Sequence, residues 1–156
     1  MLGLATVSCG SDVSTLNTVR VEHSIAGAIL SEHHIDVPVS CPSRIPLERG
    51  RGFECSAKLE VGTYPVSAVE VNSSGRVRYA NRTPLVILNV AAVRRAIARS
   101  VLSQRHAQPS VTCPTEVLQK QGLFFTCSAS VSGRSHVFYV TVVDDKGHVR
   151  YVEPTR

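Results

Sequence analysis

The sequence predicts an α+β protein made of two tandem repeats, each one helix packed on a small antiparallel sheet of three to four strands with one internal disulfide. Three observations carry that prediction. A stretch from Val39 to Ala57 (Val-Ser-Cys-Pro, a polar loop through Gly50, then Phe-Glu-Cys-Ser-Ala) is written again from Val111 to Ala129 as Val-Thr-Cys-Pro, a loop through Gly122, and Phe-Thr-Cys-Ser-Ala. Cys41 to Cys55 and Cys113 to Cys127 are both 14 positions apart. A shift of 72 positions also lays Asn17 on Asn89, Val21 on Val93, Ile25 on Ile97, His34 on His106, and the run Gly75 to Tyr79 on Gly147 to Tyr151. Self-similarity at one period marks a duplicated supersecondary unit. It divides the chain into a leader or tether over 1–16, a first repeat over 17–82, a linker over 83–88 and a second repeat over 89–153.

Each repeat opens on a helical pattern. Asn17 and Asn89 stand where an N-cap belongs, because an Asn side chain accepts from the orphan amides of a first turn. After them Val21, Ile25, Ala28 and Ile29, and likewise Val93, Ile97 and Val101, recur at three- and four-residue spacing and make one apolar stripe per helix. The helices are expected to stop near His34 and His106, since Pro38 and Pro109 follow and disfavour the helical region for the residue before them. Short strands come next, over Val37 to Cys41 and Ser110 to Cys113, ended by Pro42 and Pro114. Phe53 to Val61 and Leu123 to Val131 alternate sides, with Gly62 and Gly133 as turn residues. Val66 to Val71 and Val137 to Val143 form the third strands, and Asn72-Ser-Ser-Gly75 and Asp144-Asp-Lys-Gly147 turn into the last.

At 156 residues the chain is long enough for one ordinary domain or two small ones, and 43% hydrophobic with 19% charged residues places it away from disorder. With no Trp and few other aromatics, the core has to come from Val, Ile, Leu and Ala, which favours strands over a helical bundle. The formal charge of +5 permits attraction to an anionic surface. A nucleic-acid partner is not expected: Arg94, Arg95 and Arg99 occupy the solvent face of a helix, with no aromatic interleaving. No segment approaches the roughly 18 apolar residues of a membrane span.

Five cysteines sort as two repeated pairs and one leftover, Cys9. Paired cysteines at a fixed spacing point to an oxidising compartment. A four-thiolate zinc site is the rival, and the long spacing within each pair is wrong for the short knuckle such sites use. Closing a loop of this length is worth about 3 kcal/mol in the chain-entropy model, a large share of the stability of so small a repeat. Cys41, Cys55, Cys113 and Cys127 are therefore structural residues by this reading.

Met1 to Gly10 is a short apolar run that looks like the tail of a bacterial lipoprotein signal. Val7 and Ser8 fit its motif; Thr6 departs from it, and the charged n-region and most of the apolar segment are missing. The expectation is a native start upstream, an acylated Cys9 and a polar tether over Gly10 to Leu16; the alternative is a plain leader that happens to hold a cysteine.

A helix, Val-x-Cys-Pro, a polar loop with Gly, a second Cys on a strand and a closing Gly-x-Val strand resemble the domain of unknown function 4333, found in exported and lipid-anchored actinobacterial proteins. The likeness covers about residues 17–82 and 89–153. It implies an extracytoplasmic location and structural disulfides, and it supplies no catalytic residues.

The remaining constellations are few. His33, His34 and Asp36 are the nearest thing to a metal site, but the second repeat offers Arg105 and His106 there with no acid, and a His at a helix C-terminus is explained by the dipole. No Gly-x-Ser-x-Gly elbow, phosphate loop or His-Glu-x-x-His pair is present, and Glu22, Glu32, Glu48, Glu54, Glu60 and Glu70 mostly lack acidic counterparts. The retained pairs Arg78 with Tyr79 and Arg150 with Tyr151 are the binding candidates, since Arg beside Tyr grips anions and partner proteins. Strand alternation alone would instead put Val77 and Tyr79 on the core face and both Arg residues on the wet face.

The expected function is an exported, envelope-associated, non-catalytic binding module with no cofactor, its partner an envelope protein or an anionic envelope component. Two alternatives are a proteinaceous inhibitor or periplasmic partner of an enzyme, acting through the concave face between the repeats, and a metal-dependent hydrolase using His33, His34 and Asp36.

Overall fold

The computed structural model describes residues 14–154. Cys9 and the lipidation expected of it lie outside the described residues. The first repeat runs α1 (Thr18–His33), β1 (Val39–Ser40), β2 (Gly52–Lys58), β3 (Thr63–Glu70) and β4 (Val77–Tyr79). The second repeats that order as α2 (Val90–Arg105), β5 (Ser110–Thr112), β6 (Phe124–Val131), β7 (Arg134–Val142) and β8 (Val149–Val152). Each set of strands makes a four-stranded antiparallel meander, in the orders β1-β2-β3-β4 and β5-β6-β7-β8. The duplication survives at the level of register, because Cys55 faces Val66 and Cys127 faces Phe138 at the same shift.

Both helices begin as the sequence leads one to expect. The Asn17 side chain accepts from the Arg20 amide and the Asn89 side chain from the Ala92 amide, each at 3.1 Å. Their ends have a different cause from the one expected. His34 and His106 are themselves left-handed, at φ 59° and 54°, and their amides donate back to Leu30 and Leu102. This is the cap that usually falls to glycine, and Pro38 and Pro109 stand further on. Val21, Ile25 and Ile29 are buried on α1 and Val93, Ile97 and Val101 on α2, while Ala28 faces solvent. On the sheets the inner faces supply Cys55, Ala57, Val66 and Ala68 in the first repeat and Phe125, Cys127, Val140 and Val142 in the second.

The two disulfides, Cys41–Cys55 and Cys113–Cys127, close the loop between first and second strand in each repeat. The closed loop also holds the chain that leads into the helix. Leu16 N–H donates to Ile45 O at 2.8 Å and Leu47 N–H to Ser14 O at 2.9 Å; in the second repeat Leu88 N–H donates to Val117 O and Gln119 N–H to Val86 O, both at 2.8 Å. The described end of the stretch read as tether, Ser14 to Leu16, and the linker are thus packed, with Leu16, Leu85 and Leu88 all buried. In the first repeat Glu22 ties α1 to the bridge by accepting from the Cys41 amide at 2.8 Å.

The repeats pack head to tail. The β2–β3 connection, Leu59 to Gly62, lies against the disulfide loop of the second repeat: Val61 N–H donates to Glu116 O at 3.0 Å and Leu118 N–H to Val61 O at 2.9 Å. The Glu60 carboxylate accepts from the Thr115 and Glu116 amides, and Leu118 is buried in the first repeat's core. Phe53 to Val61 was expected to be one strand; it ends at Lys58 because the last residues turn away to make this contact. The equivalent connection of the second repeat is a tight two-residue turn, Ser132-Gly133, between the paired Val131 and Arg134. The first loop, for its part, has Pro46 where the second has Leu118, and proline has no N–H to offer. The contact is therefore built for use once.

Gly62 is the residue on which this interface turns. It has φ +97°, and a Cβ there would sit 2.8 Å from the Leu123 side chain and 2.9 Å from that of Leu118. Gly62→Ala is expected to destabilise the protein by about 2 kcal/mol or more through backbone strain and overlap. Urea denaturation checks this, and the equivalent loss should not follow Gly50→Ala beyond its backbone cost, because nothing lies within 4 Å of a Cβ there.

Candidate functional site

The two copies of one scaffold differ along the edge where the helix meets the last strand. In the second repeat that edge is occupied. Tyr151 is half-buried, its hydroxyl donates to Ala96 O of α2 at 3.3 Å, and its ring meets Phe138 edge-on at 6.3 Å. Further along, Glu153 accepts from Arg105 at 3.0 Å and pairs with His136 at 2.8 Å, so strand end, helix end and β7 are tied together.

In the first repeat the same position is open. Tyr79 replaces Tyr151 but is 39% exposed, and Val66 stands where Phe138 would support its ring. A groove of about 490 Å³ lies between α1 and β4, bordered by Asn17, Arg20, Ser24, Arg76, Val77 and Tyr79. On the other side of Tyr79 a smaller hollow of about 220 Å³ is lined by Ile29, Glu32, His33 and Tyr64 among others. The floor there is firm. Tyr64 donates to Thr83 O and accepts from the Asn81 amide, both at 2.7 Å. Burial pushes the Tyr64 hydroxyl up from its ordinary pKa, against the opposing effect of the Asn81 hydrogen bond.

The groove is cationic. Arg20 projects from the first turn of α1, a helix with no acidic residue in its first turn, and Arg76 stands immediately before β4. Their counterparts by the 72-position shift are Ala92 and His148, and His148 is held by Asp144 at 2.6 Å. That bond, with the two backbone amides Asp144 also accepts, holds the Asp144 carboxyl below its ordinary range. Among the described residues neither Arg20 nor Arg76 forms an ion pair.

The chain matches no family model, no curated protein and no solved structure.

Of the residues singled out in the sequence, Tyr79 lies in the groove and Arg78 does not, since Arg78 is registered against Val69 on the outer face of the sheet. Arg150 is likewise registered against Thr141 and exposed, while Tyr151 is a packing residue. Alternation thus describes both repeats, with Val77 and Tyr79 on the helix side and Arg78 on the outer face; what differs is burial, since among the described residues Tyr79 has neither the aromatic stacking nor the helix carbonyl that holds Tyr151. His33, His34 and Asp36 are not gathered: among the described residues no group of three or more His, Cys, Asp or Glu is placed to hold a metal. The scattered carboxylates have separate tasks. Glu60 joins the repeats, and Glu70 is buried beneath the first disulfide loop, accepting from the Glu48 amide at 3.0 Å.

Two further features belong to the surface. Between the repeats a cleft of about 610 Å³ is bordered by Tyr64, Asn81, Pro84, Leu118, Lys120 and Asp145. The outer face of β6, β7 and β8 exposes Phe124, Val137, Tyr139 and Val152, with the Phe124 and Tyr139 rings 5.6 Å apart. The equivalent positions of the first repeat are Gly52, Pro65, Ser67 and Ala80.

The unequal tyrosines give the first expectation here. Tyr151→Ala is expected to cost about 2–3 kcal/mol of stability and Tyr79→Ala less than about 1 kcal/mol, the difference being the packing lost; paired denaturant melts measure it. The second concerns acid. Burial acts to raise the Glu153 carboxyl, but hydrogen bonds and charge from His136 and Arg105 prevail and hold it below its ordinary value. A carboxyl lowered in the folded state contributes stability above its unfolded pKa and loses it as pH falls through the folded one. Glu153→Gln is expected to flatten the acid limb of the stability curve, measured from neutral pH to about pH 2.

Proposed function

We propose that this chain is an exported, envelope-associated, non-catalytic binding module whose ligand enters the groove between α1 and β4 of the first repeat. The observation that supports this reading is the inequality of the two copies: the scaffold is capable of closing that edge, as Tyr151 does on Ala96 O, and in the first repeat it is left open and lined with arginines. Export is supported by the two disulfides, which persist in oxidising compartments. No helix among the described residues is long and apolar enough to cross a membrane. Attachment through an acylated Cys9, and kinship with the domain of unknown function 4333, belong to the same reading and rest on the sequence motifs.

The reading is tested by titrating isotope-labelled protein with soluble envelope extracts and following backbone amides by NMR. Shifts confined to residues 15–24 and 76–79, with the matching residues 87–96 and 148–151 unmoved, are the expected result. Shifts elsewhere, or none with any fraction, would overturn it. Thiol trapping in the native host tests export separately, with both cysteine pairs expected oxidised.

A second reading, an inhibitor or partner of an envelope enzyme, is favoured by the apolar outer face of β6–β8, because exposed apolar clusters of this kind are common at protein interfaces. It predicts a stoichiometric complex that Tyr139→Lys disrupts while titrations at the groove proceed as before.

A further inference from the structure

The edge of β4 carries more than a groove. Val71 N–H donates to Arg76 O and Ala80 N–H to Ser67 O, and Arg78 is registered between them against Val69. In an antiparallel ladder residues alternate between those bonded to the neighbour and those pointing away. Arg76, Arg78 and Ala80 therefore use their backbone groups toward β3, and Val77 and Tyr79 present N–H and C=O to the free edge. Among the described residues no strand pairs with this edge, β4 being the last in its sheet, and an open volume of about 650 Å³ lies beside Val71, Arg76, Val77, Arg78 and Tyr79. An uncovered edge of this kind is a template for another strand.

From these features, and resting on the binding-module reading above, we infer that the ligand of the groove is an extended, acidic polypeptide segment that adds to β4 as a fifth strand. Main-chain bonds to Val77 and Tyr79 supply affinity, and side chains supply selection, as in strand addition generally. Residues of the added strand opposite Val77 and Tyr79 point to the α1 side, where Arg20 and Ser24 wait; those opposite Arg76 and Arg78 lie beside guanidinium groups. Among the described residues, those bordering the groove and the edge include three arginines and no carboxylate, so an acidic strand is matched on both of its faces and a basic one is repelled. The second repeat is not equivalent. Its edge strand β8 has Tyr151 fixed to α2 and runs into Glu153, which closes the helix-side hollow and puts a carboxylate at its end.

The test uses the full chain and a capped hexapeptide of alternating valine and aspartate. Binding is expected to slow hydrogen exchange at the Val77 and Tyr79 amides, leave Val149 and Tyr151 unchanged, and weaken by about tenfold in Arg20→Ala and Arg76→Ala, both exposed positions whose folding the same spectra verify. The peptide methylated on the amides that face β4, and the lysine counterpart, should not bind. Inorganic phosphate is the companion probe. Phosphate shifts near Arg20 and Arg76 without peptide protection of the edge would overturn the strand addition and leave a groove for small anions. Silence with peptide, phosphate and envelope extract alike would overturn the binding module itself. Equal binding of the lysine peptide would overturn the acidic class.

Discussion

The hydrogen-bonded edge of each disulfide loop is the constraint on which the structure depends. Residues 45–47 and 117–119 are each held in place by a cystine at the root of the loop, and each pairs with the segment that enters the helix. That pairing sets where the helix starts, and so which turn of it lies over which strand. Without the covalent closure a loop of this length would have to be ordered by its backbone bonds and the burial of Ile45, Val117 and Leu118, against a backbone entropy of about 1–2 kcal/mol per residue. In the second repeat the other edge of the loop also receives Val61, so the same element that orients the helix joins the two halves.

Duplication followed by divergence accounts for the rest. The cores are interchangeable in plan, with a small alanine, Ala57 or Ala129, and a buried half-cystine, Cys55 or Cys127, in each. What differs lies at the ends and edges: Gly62 against Arg134, Pro46 against Leu118, Val66 against Phe138, Arg20 against Ala92. The first two make one head-to-tail contact and no repetition of it. The last two leave one helix–strand edge open and cationic, while its counterpart is sealed by a tyrosine and an Arg105–Glu153–His136 cluster.

Most of the fold was legible because period and punctuation are local properties. Asn17 and Asn89 cap, the valine and isoleucine stripes face inward, and Asn72 and Asp144 turn the last hairpins by accepting from amides two and four residues on. The left-handed histidines were not legible as the cause of helix termination, because a positive φ at histidine has no pattern in sequence. Nor was the shortening of β2, which follows from a tertiary contact with residues far along the chain. The site was half legible: Tyr79 is repeated in Tyr151, whereas Arg20, Ser24 and Arg76 are replaced by Ala92, Ala96 and His148 and so carry no mark of the repeat. Identities report the shared scaffold, and a site confined to one copy has to be sought among the differences.

The claim that one edge is open and the other closed is tested most directly by the reactivity of the tyrosine rings. Limited nitration of the oxidised, folded protein, followed by peptide mapping, is predicted to modify Tyr79 and the exposed Tyr139 early, and Tyr151 and the buried Tyr64 late. Equal rates at Tyr79 and Tyr151 would contradict the account, because the two copies would then have the same edge and the first repeat no groove of its own.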